Sequence, residues 1–181
     1  MPHTSQELPD RAAAAALIAS LTETPALGLD RHLTVFAANG LASAVLPSSA
    51  VGANIARAVF LVEKPSHVDV GWGLACEHVS AALKASLGRH GEDDEFIRLV
   101  GELAALSEDF NDAWARNVAP TRTGTFRFST GETSSAELTY TLNSVSDGSG
   151  DSVVLWEPAD EASALALQRV SPPEVRRFRE D

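Results

Sequence analysis

The densest chemistry in the chain is "LGRHGEDDEF" (87–96), where Arg89, His90, Glu92, Asp93, Asp94 and Glu95 crowd together. A histidine among carboxylates has the composition of a divalent-metal site or of an acid–base pair. A metal, however, needs donors that converge on one point, and consecutive residues at a helix start fan out by about 100° each. Helix ends account for the same residues. Leu87 closes one helix, and Gly88 takes the C-terminal position that favours positive φ. Arg89 and His90 follow at the negative end of the helix dipole. Gly91 breaks the chain, and the four carboxylates open the next helix at its positive end. The helix-end reading is preferred, and no metal is assigned.

Cys76 and His78 have the residue types of a thiol nucleophile and its base. Two positions apart on a helix their side chains diverge. Cys76 shares an apolar face with Val79 and Leu83 and reads as a small buried hydrophobe. "GWGLAC" (71–76) opens like a dinucleotide fingerprint, but Cys76 stands where the third glycine belongs and no second βαβ unit follows. The sequence has no G-x-S-x-G, P-loop, H-E-x-x-H or paired-cysteine zinc spacing, and its five histidines (3, 32, 67, 78 and 90) are scattered. No catalytic residue and no cofactor is assigned, and a small hydrolase or isomerase using His90 and Glu92 ranks last among the alternatives.

With 181 residues the chain has the size of one domain with a substantial core. Its 44% hydrophobic and 22% charged residues are those of a soluble globular protein. A net charge of −11 opposes direct contact with a phosphate backbone. The single cysteine excludes an internal disulfide and suits a reducing compartment. The apolar run "AAAAALIASL" (12–21) is too short to span a bilayer and lacks the basic flank of a signal peptide. The expectation is a cytoplasmic chain that binds neither membrane nor nucleic acid directly.

These residues need elements to position them. A short helix is expected over 12–21. "ALGLD" (26–30) and "LTVFAAN" (33–39) read as a hairpin around Asp30, Arg31 and His32. Helical patterns follow at 40–46 and at 54–62, the latter capped by Asn54. Trp72, Ala75, Cys76, Val79, Leu83 and Leu87 share one helical face. A helix from Asp93 carries Phe96, Leu99, Val100, Leu103 and Leu106 on its stripe, and Ser107 caps a third that holds Phe110 and Trp114. After Pro120 the period changes to two, giving strands at 123–130, 135–145 and 152–158, with the turn "DGSGD" before the last. A final helix spans 160–169. Two strands, several helices and three strands predict an α+β fold, a five-stranded antiparallel sheet with a helical layer mostly on one face, as in PAS-like sensor domains.

Several separated segments, in order, resemble one family. "PALGLDRHLTVFAANGLASAVL" is similar to the opening of the ligand-binding domain of MmyB-like transcription regulators. "AALKASLGRHGEDDEFIRLVGELAALSEDFNDAWARNV" resembles its central helices, and "GTFRFS", "AELTYTLN" and "SVVLWEPADEAS" its closing strands and last helix. The chain departs from the family pattern at "FLVEKP" (60–65), where Phe-Leu-Asp-Pro is common, and at Asn117, where histidine is frequent.

The resemblance implies a PAS-like domain over 21–170, preceded by a segment with a short helix (1–20) and followed by a polar tail (171–181). It further implies a small apolar or amphipathic ligand, fatty-acid-like, sensed without catalysis. Such domains normally follow a helix-turn-helix, for which there is no room before residue 20. The chain is then either a fragment of a longer regulator or a free-standing sensor. Its partners would be a second copy of itself or a DNA-binding regulator. A cavity of this type is mostly apolar with a few placed polar groups. Phe126, Phe128, Leu138, Tyr140, Leu142 and Leu155 would form its strand wall. Phe60, Trp72, Phe96, Phe110 and Trp114 would face them from the helices, each competing with a plain core role. Arg57 or Arg116 could hold a ligand carboxylate, against the alternative of a surface pair with a neighbouring Asp or Glu. A protein-interaction or dimerisation module with a closed core is the other reading.

Overall fold

The computed structural model describes residues 8–46, 48–61, 70–129 and 135–170; the side chains of 70–72, 126, 128, 129 and 135 lie outside that description. A helix, α1 (Arg11–Ser20), leads into strands β1 (Ala26–Leu29) and β2 (Val35–Ala38). Five helices follow: α2 (Gly40–Val45), α3 (Ile55–Leu61), α4 (Val70–His90), α5 (Asp94–Leu106) and α6 (Glu108–Ala115). Strands β3 (Thr123–Ser129), β4 (Ser135–Ser144) and β5 (Ser152–Pro158) and helix α7 (Glu161–Arg169) complete the order. The strands form one antiparallel sheet, β2-β1-β5-β4-β3. The last strand inserts beside the first, as the PAS-like order requires, and the expected α+β class is observed.

Local chemistry fixes the connections. Asp30 Oδ1 accepts from the amides of His32 (2.9 Å) and Thr34 (2.8 Å), so the aspartate builds its own turn. Leu33 sits at φ 64°, an unusual value for a bulky residue, and its burial holds it there. Asn39 is buried with its amide fully used. Its Oδ1 accepts from Ala26 and Ala42, and its Nδ2 donates to the carbonyls of Leu21 and Thr24. One side chain thus caps α2 and ties the α1–β1 connection to the exit of β2. Asn54 accepts from the Arg57 amide as the expected cap of α3.

The helix-end reading of "LGRHGEDDEF" needs one correction. Helix α4 runs on to His90, so Gly88 lies in its interior and Arg89 and His90 occupy its last turn. Gly91 is the terminating residue, at φ 75°, and its amide bonds to the Leu87 carbonyl at 2.9 Å. Basic side chains in the last turn favour the longer helix, and a glycine able to take positive φ ends it. Asp93 then caps α5, accepting from Phe96 N at 2.8 Å. Leu106, expected on the buried stripe of α5, is 69% exposed. The chain turns one residue later at Ser107, which ends α5 and caps α6, and the stripe stops at Leu103.

The sheet separates two apolar clusters. On one face Leu27, Leu29, Ala136, Leu138, Val154 and Trp156 pack with α2–α6 and α7 around Ala56, Phe60, Leu83, Leu99, Leu103 and Phe110. On the other, Ala26, Val145 and Val153 meet Ala14 and Ile18 of α1. Leu155, expected in the strand wall, belongs to this second face, because side chains alternate along β5 and Val154 and Trp156 take the other side. Helix α1 therefore covers the sheet face opposite the main helical layer. It is latched by Arg11, whose Nε and Nη2 donate to the buried Asp151 at 2.6 and 2.8 Å.

Candidate functional site

The expected wall residues come together unevenly. Leu138 is fully buried at the centre of β4. Phe60 of α3 meets Phe110 of α6 edge-on, with ring centres 5.1 Å apart, and Phe110 lies 5.2 Å from Trp114. These three rings line the inside of the helical layer. Phe96 is buried in the same cluster. The side chains of Trp72, Phe126 and Phe128 lie outside the described residues. Their strand register sets Phe126 opposite Leu138 and Phe128 opposite Ala136.

The interior is not equally closed throughout. Val79 and Ala82 on α4, Trp114 on α6, and Tyr140 and Leu142 on β4 pack against the core yet stay only partly buried. They belong to facing elements, since α4 contacts α6 and β3, and Tyr140 reaches α4 directly. Tyr140 Oη lies 2.8 Å from His78 Nδ1, with the rings edge-to-face at 5.9 Å, and Thr121 Oγ1 is 3.3 Å from the same phenol. The Tyr140 ring crosses β3 at Gly124, where an added Cβ would stand 2.6 Å from the ring. That contact requires a glycine.

Both arginines considered for a carboxylate are engaged at the surface. Arg57 Nε and Nη2 donate to Glu102 Oε2 at 2.9 and 2.8 Å, and Arg116 Nη1 donates to Glu77 at 2.8 Å. The Arg57 guanidinium holds the Glu102 carboxyl below the usual carboxylate range. Lys84, which the sequence did not single out, lies 5.0 Å from the Trp114 ring centre and donates to the Trp114 carbonyl near the end of α6. That carbonyl lies at the negative end of the helix, where a cation is favoured.

The opening charge cluster is a clasp. Asp93 accepts from Phe96 N, from Arg31 and from His32 Nε2 (3.0 Å), while Glu95 lies 3.7 Å from His32 Nδ1. The Phe96 amide, then His32 and Arg31, lower the Asp93 carboxyl from its ordinary value. The hairpin turn is thereby fastened to the start of α5. His32 is buried in this clasp, and His90 stands beside Gly150 in the β4–β5 turn. Among the described residues no group of three or more His, Cys, Asp or Glu is arranged to hold a metal ion. Cys76 is buried in the core while His78 reaches β4, so the two diverge as their spacing dictates.

A separate open groove of about 450 Å³ runs between β3, β4 and the start of α7, lined by Arg127, Ala136, Glu137, Asp160, Ala162 and Ser163. Its polar groups bond to one another. Arg127 pairs with Glu137 at 3.3 Å, Asp160 caps α7, and Ser163 Oγ accepts from Glu137 N. It is unlike the apolar cavity expected from the sequence.

Sequence reasoning weighed His78 only as a base for Cys76 and missed both its contact with Tyr140 and the role of Gly124. A usable signal existed, in that β3 carries a glycine within an otherwise alternating strand. Among the described residues no helix is long and apolar enough to cross a membrane. No curated protein matches the chain. A family profile does, under the description MmyB-like transcription regulator ligand binding domain, over residues 11–170. That span takes in every element from the latch helix to α7, and the chain belongs to the MmyB-like transcription regulator ligand binding domain family.

Proposed function

We propose that this chain senses a small apolar or amphipathic molecule, fatty-acid-like in shape, held between the sheet and the α3–α6 layer. It works without catalysis or cofactor, in the cytoplasm, as part of or beside a DNA-binding regulator. The ligand would lie against Leu138, Tyr140, Phe60, Phe110 and Trp114, with Trp72, Phe126 and Phe128 as further wall. The observation that carries this reading is that Val79, Trp114, Tyr140 and Leu142, on facing elements and packed against the core, stay only partly buried. Ligand sites combine an apolar lining with a few placed polar groups, and these residues offer both kinds of side chain. Native mass spectrometry of protein taken from cells, followed by lipid extraction, tests it. A reproducible adduct of lipid mass is expected. Repeated recovery of bare protein, with no gain in melting temperature on adding medium- or long-chain fatty acids, would sink the proposal.

A second reading has its own observation. Ile97 and Leu106 on α5 are 56% and 69% exposed, single apolar side chains on opposite sides of the helix, either of which docking on a second copy or another protein would cover. Sedimentation over a concentration series separates the two: a dimer lost in an Ile97→Glu, Leu106→Glu variant, with no ligand bound, would favour docking.

A further inference from the structure

We propose that Tyr140 and His78 form the head-group subsite of this domain and that the group they take is a carboxylate. The inference rests on the ligand-binding reading above and names the end of the ligand that reading leaves open.

Three cations of the helical layer already have partners, and Arg122, next to Thr121, donates to the Leu142 carbonyl at 3.4 Å and to Ser144 Oγ at 3.1 Å. Arg57 is held by Glu102, Arg116 by Glu77 and Lys84 by the Trp114 carbonyl. Moving any of them to a ligand would break an existing bond. Tyr140 and His78 carry no such cost. With the proton of the imidazole on Nε2, the phenol donates to Nδ1 across 2.8 Å. With the proton on Nδ1, the imidazole donates to Oη and the phenolic hydrogen turns to an outside acceptor. Both arrangements keep one hydrogen bond between the rings, so neither leaves a half-buried polar atom stranded when the ligand leaves. Thr121 Oγ1, 3.3 Å from Oη, stands as a second hydroxyl donor beside the same point.

Geometry fixes the pair in place. Gly124 lets the Tyr140 ring lie across β3 at a distance no side chain would allow, and His78 meets that ring edge-on from α4. The subsite borders the partly buried apolar residues Val79 and Leu142, where the chain of an amphipathic ligand would run. Two hydroxyl donors without a guanidinium fork suit a compact acceptor better than a phosphate. An anionic carboxylate makes the stronger bond to a phenol, because the acceptor is charged.

The test compares dodecanoate with dodecan-1-ol, two probes of one chain length, by titration calorimetry on the full chain at neutral pH. Wild type is expected to bind the acid about tenfold more tightly than the alcohol, the scale of one charge-assisted hydrogen bond. In Tyr140→Phe, which removes one oxygen and keeps the ring, that ratio is expected to fall to about one. His78→Gln keeps a donor toward Oη and is expected to give an intermediate ratio, which provides a second test should Tyr140→Phe prove unstable. A ratio unchanged in both variants would overturn the subsite while leaving the ligand-binding reading intact. Failure of wild type to bind either probe would overturn both.

Discussion

Replacing Arg11 with Met isolates the latch that holds α1 to the sheet. Asp151 has a side chain only 1% exposed, and Arg11 meets it through two nitrogens at 2.6 and 2.8 Å. Removing one partner of a buried pair leaves an uncompensated charge, typically about 3–5 kcal/mol. Arg11 itself is 53% exposed, so solvent screens part of the attraction, and the discounted cost is about 2–3 kcal/mol. The same guanidinium lies 4.9 Å from the Phe36 ring centre, and losing that contact adds about 0.5–1 kcal/mol. Asp151→Asn removes the charge and keeps the shape, so in the double variant no buried carboxylate remains unpaired. Urea denaturation at neutral pH, followed by tryptophan fluorescence, is expected to show coupling of at least about 1 kcal/mol between the two substitutions. Hydrogen exchange should rise first in α1, while Ile18 and Ala14 keep the helix associated with the sheet. Additive effects, or an Arg11→Met cost under about 0.5 kcal/mol, would refute the latch.

Three further outcomes are expected. Gly124→Ala puts a Cβ 2.6–2.8 Å from three atoms of Tyr140, and denaturation should show a loss of about 1–3 kcal/mol from overpacking. Leu138→Ala opens a cavity under a fully buried side chain, at about 2–5 kcal/mol by the same measurement. For pH, the Asp93 carboxyl titrates lower in the folded chain than in the unfolded one, through the Phe96 amide first, then His32 and Arg31. Its stabilising contribution is therefore complete above about pH 4 and lost as pH falls through the folded value. Asp93→Asn retains a capping oxygen and should flatten the acid limb of a stability–pH profile; an unchanged limb would remove Asp93 as its cause.

Much of the fold was legible because its signals are local. The strand alternation after Pro120, the Asp30 turn and the caps at Asn54 and Ser107 each depend on neighbours a few residues away. Gly88 misled because two glycines stand three apart, and only the backbone decides which takes positive φ. Leu155 misled because alternation gives two faces without saying that α1 covers one of them. The site was harder to read for the same reason. Tyr140 was visible as an inward strand residue, but its partner His78 lies 62 positions away, and no periodicity carries that distance. The arginines attracted notice through their chemistry, whereas Glu102 and Glu77, which hold them, are ordinary exposed-face residues in any sequence reading.

Charge in this fold serves mainly to fasten one element to another. The ion pairs of Arg57, Arg116 and Arg127 lie on the outer surface, and that of Arg11 fixes the latch helix. Arg31, His32 and Asp93 join the hairpin to α5 at the other side of the helical layer. Helix α4 runs through the middle of this arrangement. It bonds to β4 through His78, to α6 through Glu77 and Lys84, and to the hairpin turn through Ser86, whose Oγ donates to the Arg31 carbonyl at 2.7 Å. A molecule seated against Tyr140 would therefore press on a helix tied to the sheet, to α6 and to the hairpin turn of the clasp. A rigid helix carries a displacement along its length, and packed interfaces shift between discrete arrangements rather than deforming smoothly. The cluster that first suggested an active site then becomes the far end of that connection, where a change at His78 would reach the hairpin and α5.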